Sequence, residues 1–353
     1  MSLEGGARPE GAGESSSADL PALMQLASGF WVSNVLASAV ELGVFALLDA
    51  RPGLTADEVA RGLGIAGRGA RQLLPACAAL GLLAATDGRY RNTTLADRHL
   101  VPGRPQYFGG FVRFLHAREY AAWGRLTEAL RTDLPTAWDP GDERVTVFAA
   151  EDESLRLFWE GAHPLSLACG EALAGALDLS GARALLDVGG GTGACAIGLC
   201  RHLPELRATV YELPFVAELA RARVAEADME ERITVVDGDF LAADLPAGYD
   251  TLLLSSVLHN WDPASVATLL GKCHRALEPG GTVIVTELIL DDAGAGPPGA
   301  ARMGLDMLVW TLGGRSYTES EHRAALAAAG FVEVRAVPLE VMQANLALAG
   351  RRR

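Results

Sequence analysis

The first quarter of the chain carries apolar residues at helical spacing, interrupted by turn residues. Apolar positions that recur every three or four residues predict amphipathic helices, and a short segment around an Asp-Gly turn predicts a hairpin. Thr55 and Glu58 form a capping box at the start of one helix, and Asp87-Gly88 marks the hairpin turn. The pattern predicts helices over 20–48, 55–63 and 68–82 and a hairpin over 83–92. Together these elements predict a winged helix.

The second half alternates short apolar runs with helical patterns, which is typical of an α/β domain with a parallel, doubly wound sheet. The predicted strands lie near 184–188, 208–212, 233–236, 250–257, 282–288, 331–337 and 345–349. The last two are close enough in sequence to form an antiparallel edge. The predicted organisation is a disordered tail over 1–18, a mainly α winged-helix domain over 19–101, a helical linker and substrate-pocket region over 102–180 and the α/β domain over 181–353.

Composition restricts the class of protein and its partners. The chain has 353 residues, half of them apolar, which is enough for two globular cores. A formal net charge of −14 argues against nucleic acid and anionic membranes as partners, and no apolar run approaches membrane-spanning length. The five cysteines show no metal-like pairing and are interpreted as small buried residues in a reducing compartment. We therefore expect a cytoplasmic protein without a bound metal.

A glycine-rich loop follows the first strand of the predicted sheet. Residues 187–193 read Asp-Val-Gly-Gly-Gly-Thr-Gly and precede an apolar helix. Gly189 and Gly191 allow a sharp turn and a close approach of the backbone to a bound nucleoside. Glu212 ends the next strand, where its carboxylate can accept hydrogen bonds from both ribose hydroxyls. The sequence predicts a nucleoside-containing cofactor at the carboxyl edge of the sheet.

The glycines alone leave the cofactor open, because their spacing also fits the dinucleotide fingerprint of NAD-binding proteins. Two features favour S-adenosyl-L-methionine (SAM). Asp187 at the start of the loop resembles motif I of SAM-dependent methyltransferases. Asp239 and Phe240 follow the third strand, where Asp239 can bind the adenine amino group while Phe240 packs on the ring.

A histidine stands at the carboxyl end of a buried strand, the edge at which such sheets bind ligands. His259 follows the strand 250–257 and can remove a proton from a phenol as a methyl group arrives. An isolated histidine at the end of a strand more often caps the strand or packs in the core. The glycine loop on the neighbouring strand favours a role as general base. Glu287 ends the adjacent strand and can fix the imidazole tautomer, although a solvated strand terminus explains it equally well.

The winged helix raises the alternative of a DNA-binding regulator. A winged-helix protein that binds DNA usually carries a row of basic residues along its second helix and its wing. Here the second helix has only Arg68 and Arg71, followed by leucines and alanines. That composition favours a protein–protein interface.

In combination, the winged-helix region, the glycine loop, Glu-Leu-Pro at 212–214, Gly-Asp-Phe at 238–240 and Val-Leu-His-Asn-Trp at 257–261 resemble the small-molecule O-methyltransferases. That family includes plant caffeate and flavonoid enzymes, hydroxyindole O-methyltransferase and bacterial antibiotic-tailoring relatives. The resemblance spans about residues 20–350. It implies SAM held by the loop, Glu212, Asp239 and Phe240, with Trp261 against the adenine. It also implies His259 as base, Glu287 as its orienting acid, and a winged-helix homodimer.

Three positions depart from the family pattern. Asn260 stands where the plant enzymes have Asp, and we assign it to the substrate site. Ser255 stands where they often carry a cation that helps to hold SAM, and we assign it to the cofactor site. Ser316 occupies the position of a second acidic partner. The resemblance also implies that Met303, Asp306 and Met307 line the acceptor pocket, although helically spaced Met and Trp residues are more often core. Phe158, Trp159 and His163 precede the α/β domain and are expected to close over the acceptor.

The sequence thus predicts a homodimeric SAM-dependent methyltransferase that releases S-adenosyl-L-homocysteine. Its acceptor is expected to be a hydroxyl on an aromatic or polycyclic small molecule, in a bacterial natural-product (antibiotic) pathway. A C-methyltransferase acting on an α-keto acid is the alternative within the family. A non-catalytic SAM-binding or DNA-binding regulator is the alternative outside it.

Overall fold

The structure is a computed structural model that describes residues 16–141 and 153–353. It divides into two compact units between Asp97 and Arg98. The predicted pocket region over 102–180 therefore belongs to the same unit as the sheet. The predicted tail is too long by three residues, because a helix begins at Ser16; its remainder, 1–15, lies outside the described residues.

The first unit has the predicted helices and hairpin. Helices α1–α5 span Ser16–Ala27, Gly29–Glu41, Val44–Ala50, Ala56–Leu63 and Gly67–Ala79, and strands β1–β3 span Leu54–Thr55, Leu83–Thr86 and Arg89–Asn92. The helical stretch predicted over 20–48 is three helices, because the chain turns at Ser28 and at Gly43, whose φ is 77°. The capping box of Thr55 and Glu58 is confirmed. Strand β3 lies between β1 and β2 in an antiparallel sheet.

The N-terminal helices expose an apolar surface. Asp19–Glu41 is long and apolar enough to cross a membrane, with a mean hydropathy of 1.3, and 11% of its apolar window is buried. The expectation that no apolar run approaches this length was therefore wrong. The chain turns at Ser28 inside this stretch, and α1 and α2 meet there. Large side chains left exposed include Leu23, Leu26, Phe30 and Trp31. An exposed apolar stretch of this size is typical of an interaction surface.

The second unit contains the predicted sheet. Its strands β4–β10 span Ala184–Val188, Arg207–Glu212, Ile233–Asp237, Tyr249–Ser255, Leu277–Glu287, Phe331–Val341 and Ala344–Arg352. Helix α6, Thr94–His99, contains the division between the two units. Helices α7–α15 span Gly109–Phe114, Tyr120–Trp123, Leu126–Thr132, Glu153–Ala176, Ala194–His202, Pro214–Glu226, Pro263–Ala276, Pro298–Trp310 and Glu319–Ala328. A π-helical turn, Leu115–Glu119, joins α7 to α8, and a 3-10 turn, Leu258–Asn260, follows β7.

The strand order is β6-β5-β4-β7-β8-β10-β9. The first five strands are parallel, and β10 is antiparallel to both β8 and β9. The parallel sheet with an antiparallel edge is therefore confirmed, with β10 inserted between β8 and β9. The order reverses between β4 and β7, so their carboxyl ends open a crevice where such sheets bind ligands.

Side chains of the central strands are buried on both faces of the sheet. Leu185, Leu253 and Ile284 belong to one cluster, which includes residues of α10 and α11. Leu186 and Leu252 belong to the other, with residues of α13 and α15. Because neighbouring strand residues point to opposite faces and both faces are covered, the central residues of β7, Leu252, Leu253 and Leu254, are all apolar. This packing holds in place the carboxyl ends of the strands, which carry polar residues such as Glu212 and Glu287.

Candidate functional site

The glycine loop leaves β4 in a conformation that glycine favours. The φ angles of Gly189, Gly191 and Gly193 are 66°, 57° and 74°, and such angles are strained for side-chain-bearing residues. A Cβ on Gly191 would also lie 2.8 Å from the Trp159 ring. The loop therefore has no side chain where its backbone approaches the Trp159 indole, and its close approach to a nucleoside stays a prediction.

Buried polar groups without partners surround this loop. Neither carboxylate oxygen of Asp187, a fully buried residue, has a hydrogen-bond partner within the described parts of the chain. The same holds, among those residues, for the indole nitrogens of Trp159 and Trp261. Burial first, and the nearby Glu212 second, raise the pKa of Asp187 to about 7. Unpaired buried groups are costly in a folded protein, so these three fit a polar ligand that would satisfy them.

Glu212 holds the glycine loop in place. Its Oε2 accepts a hydrogen bond from the Gly191 N–H at 2.9 Å, and its Oε1 accepts one from the Leu213 N–H at 2.8 Å. Burial raises the pKa of this carboxyl. Each carboxylate oxygen has a second lone pair, so the predicted acceptance of ribose hydroxyls is compatible with these bonds.

Two of the residues predicted to hold the adenine lie beside the glycine loop. The rings of Phe240 and Trp261 meet edge to face, with centroids 5.8 Å apart. A Cβ on Gly189 would lie 3.4 Å from the Phe240 ring. Asp239 is exposed, and its Oδ1 accepts a hydrogen bond from the Leu241 N–H at 2.8 Å. The structure thus brings the aromatic pair to the loop, with the Asp239 carboxylate at the surface.

His259 and Glu287 are in direct contact, as the adjacency of their strands implied. Ser256 adopts a left-handed φ of 55° after β7 and redirects the chain into the 3-10 turn. The Glu287 Oε1 accepts backbone hydrogen bonds from Val257 at 3.0 Å and Leu258 at 2.8 Å. The Glu287 Oε2 bonds to His259 Nδ1. An ionised Glu287 assigns the proton to Nδ1 and leaves the Nε2 lone pair to accept another.

Electrostatics make this histidine a stronger base than an ordinary one. Burial acts to lower the pKa of His259, but Glu287, and then Asp306, outweigh burial and raise it. Burial likewise acts to raise the pKa of Glu287, but His259, His322 and the Leu258 N–H outweigh burial and lower it. The pair therefore favours an ionised carboxylate beside an imidazole that readily takes a proton.

The predicted acceptor residues of α14 lie beside this pair. The helix packs against the 3-10 turn that carries His259. Met307 is buried, whereas Met303 and Asp306 are half-buried. Trp123 Nε1 donates a hydrogen bond to Asp306 Oδ1 at 2.9 Å. Asp306 is therefore held in a fixed position near the base.

Phe158, which was predicted to close over the acceptor, packs within a cluster of aromatic rings. Its ring packs against Phe114, with centroids 5.1 Å apart, and against Trp159 at 5.0 Å. His163 Nδ1 contacts Thr192 Oγ1 at 2.8 Å, so this histidine meets the glycine loop. Burial lowers the pKa of His163 to about 4, which keeps it neutral. That His163 closes over the methyl acceptor stays a prediction, and its observed contact is with the loop predicted to bind the cofactor.

Ser255, Asn260 and Ser316 engage the protein itself. The Thr286 hydroxyl donates to Ser255 Oγ at 2.9 Å. Asn260 Nδ2 donates to the carbonyls of Ser256 and Val257, at 3.3 and 3.1 Å. Ser316 Oγ donates to a carbonyl in α14 at 2.7 Å. The ligand roles of Ser255 and Asn260 stay predictions.

Sequence reasoning did not single out Glu119, Trp123 or Thr192. Thr192 lies inside the glycine motif, so its place in the sequence could have marked it. Trp123 meets Asp306 across 183 positions of sequence, and Glu119 is hydrogen-bonded to the same carboxylate. Neither residue belongs to a motif with a known spacing.

Comparison with known proteins agrees with this geometry. The family model for the O-methyltransferase domain matches residues 123–332, and the one for the O-methyltransferase dimerisation domain matches residues 24–102. The 3-hydroxy-5-methyl-1-naphthoate 3-O-methyltransferase of Streptomyces sahachiroi is 46% identical over 93% of this chain and 94% of its own length. The tetracenomycin polyketide synthesis 8-O-methyl transferase TcmO of Streptomyces glaucescens is 35% identical over 89% and 91%.

A solved structure is similar over nearly the whole chain. Human N-acetylserotonin methyltransferase in complex with SAM has a TM-score of 0.84 at 31% identity, covering 97% of this chain and 99% of its own. SAM rather than NAD is therefore the cofactor. With a domain match over more than half of its length and relatives aligned almost end to end, this chain belongs to the SAM-dependent O-methyltransferase family.

Proposed function

We propose that this enzyme methylates a hydroxyl of an aromatic or polycyclic small molecule, with His259 as general base, in a bacterial natural-product pathway. The observation that carries the proposal is the buried His259–Glu287 pair beside the glycine loop. The relatives that act on a naphthoate and on a tetracenomycin polyketide support an aromatic acceptor and such a pathway.

The mechanism follows from what the side chains can do. When bound, SAM supplies an electrophilic methyl group. Asp187, Glu212 and Trp159 provide the polar groups that hold it. His259 Nε2 accepts the hydroxyl proton as the acceptor oxygen attacks, and Glu287 stabilises the imidazolium that forms. Positioning by the buried loop and α14 supplies the rest of the acceleration.

The direct test is incubation of the purified protein with SAM and a panel of hydroxynaphthoates, naphthols and simple phenols. We expect a mass gain of one methyl on at least one of them, and NMR of the product should place that methyl on oxygen. A methyl on carbon, or transfer to an α-keto acid alone, would reverse the reaction class. Salt-sensitive binding to duplex DNA without any transfer would favour the regulator.

The Trp159 indole nitrogen offers a specific test of the cofactor site. Trp159→Phe keeps a ring beside Gly191 and removes a buried N–H that has no partner in the described residues. We expect SAM affinity to fall about tenfold, since one hydrogen bond contributes about 1 kcal/mol or slightly more. Calorimetric titration measures the change, and an unchanged melting temperature shows that the fold persists. Equal affinity would exclude the N–H as a contact.

We also propose that the enzyme is a homodimer held by its N-terminal helices, and that it resides in the cytoplasm. All five cysteines are free and buried, which supports a reducing compartment.

Trp31 is 58% exposed in a domain that matches a dimerisation family. We expect Trp31→Glu to shift the sedimenting species from dimer to monomer. Met342→Glu, at a site 73% exposed between β9 and β10, is the matched control and should stay dimeric.

A further inference from the structure

A pair of hydrogen-bonded carboxyl groups joins the π-helical turn to α14, the helix that packs against the 3-10 turn of His259. Glu119 ends the π-helical turn, a type of distortion that often marks functional sites. Its side chain is hydrogen-bonded to Asp306 in α14. Burial first, and the charge of Asp306 second, raise the pKa of Glu119 to about 8. The hydrogen bond between them requires one shared proton, so the pair as a whole carries a single negative charge.

The position of Asp306 is fixed by neighbours on two sides. Trp123 Nε1 donates to its Oδ1 at 2.9 Å, and Glu119 shares a proton with the same carboxylate. Helix α14 packs against the 3-10 turn of His259, and the Arg315 N–H beyond the helix donates to the His259 carbonyl at 2.7 Å. The carboxylate and the imidazole are thus held on two elements that are packed together.

The chain has no carboxylate at the position where the family pattern places a second acid. Ser316 stands there, and its hydroxyl is bonded to the Ala300 carbonyl at 2.7 Å. Asp306 nevertheless lies on the helix that packs against the 3-10 turn of His259, where each group favours the charged form of the other. Among the residues that the structure describes, the other titratable groups that act on or are affected by the imidazole are Glu287, in direct contact, and His322 on α15.

We propose that Glu119 and Asp306 together replace the missing second acid: Asp306 stabilises the imidazolium of His259, and Glu119 is a positioning residue that keeps the shared proton and orients Asp306. This inference rests on the proposed function and refines its acceptor class. A base supported by two carboxylates suits a phenolic hydroxyl that is still protonated at neutral pH. The hydroxyl O–H breaks as the His259 N–H forms, and no further reactant is needed.

The first test needs no acceptor. NMR titration of the His259 imidazole, assigned by the signal that His259→Ala loses, reports its pKa directly. Asp306→Asn keeps the acceptor for Trp123 and removes the charge, so we expect the titration midpoint to fall by about one pH unit. Glu119→Gln is the matched control, because its amide can still donate to Asp306. Its midpoint should stay within a few tenths of a unit of the wild type.

The second test uses acceptors of different acidity. For Asp306→Asn we expect kcat/KM to fall about tenfold on an unsubstituted naphthol and to change little on a nitro-substituted phenol that is already ionised. Equal losses on both acceptors, or an unmoved imidazole titration, would overturn the inference and leave a structural role. If the wild type methylates no phenol but the titration moves as expected, the acceptor class is wrong and the electrostatic pairing stands.

Discussion

His259→Ala is expected to lower kcat by about 10²- to 10⁴-fold, the usual contribution of a general base. The alanine side chain cannot accept the hydroxyl proton, and Glu287 is then a buried carboxylate that has lost its imidazole partner. Its backbone bonds to Val257 and Leu258 are retained, so the 3-10 turn should keep its shape. Steady-state methyl transfer measures the loss. SAM affinity should stay within about twofold, because the residues assigned to the cofactor are unchanged.

The pH profile provides the control. The pKa of His259 is raised, and the imidazole is a base only when neutral, so wild-type activity should fall as the pH decreases through a value above the ordinary 6.5 or so. His259→Ala should not show this fall of activity at low pH. Part of its rate should return at high pH, where the phenol ionises without a base. Wild-type turnover in the alanine variant, or a low-pH limb that persists in it, would eliminate His259 as the base.

Glu212→Ala is expected to weaken SAM binding by about 100-fold or more. Two hydroxyl bonds to a carboxylate contribute about 1.5 kcal/mol or more each, which together correspond to at least two powers of ten. The substitution also removes the acceptor for the Gly191 and Leu213 N–H groups, which loosens the loop before any ligand binds. Calorimetric titration with SAM measures the affinity.

Thermal melting separates the two parts of this effect. Glu212→Gln keeps one acceptor oxygen and loses one of the two backbone hydrogen bonds, so its loss of affinity should be about tenfold and its melting temperature should lie between those of the wild type and the alanine variant. The alanine variant should melt a few degrees lower, since an unsatisfied buried N–H costs about 1–3 kcal/mol. SAM affinity that survives in the alanine variant would show that Glu212 supports the loop without touching the ribose.

Much of the fold follows from local pattern. The period of apolar residues identified the seven strands of the large sheet within a few residues, except that β9 and β10 are longer than predicted and β8 starts earlier. Thr55 and Glu58 specify a helix start by their own hydrogen bonds, and Asp87-Gly88 specifies a turn by its backbone preference. The stretch over 20–48 is helical as predicted but is divided into three helices, because periodicity alone does not locate the breaks at Ser28 and Gly43.

The sequence by itself determined the glycine loop, the parallel sheet and the two strand ends that carry Glu212 and His259, because each rests on residues close together in the chain. Only the tertiary structure decided which distant residues meet. It joined Trp123 to Asp306 across 183 positions, set His163 against Thr192, and inserted β10 between β8 and β9. Such contacts depend on how whole elements pack, and no local spacing encodes them.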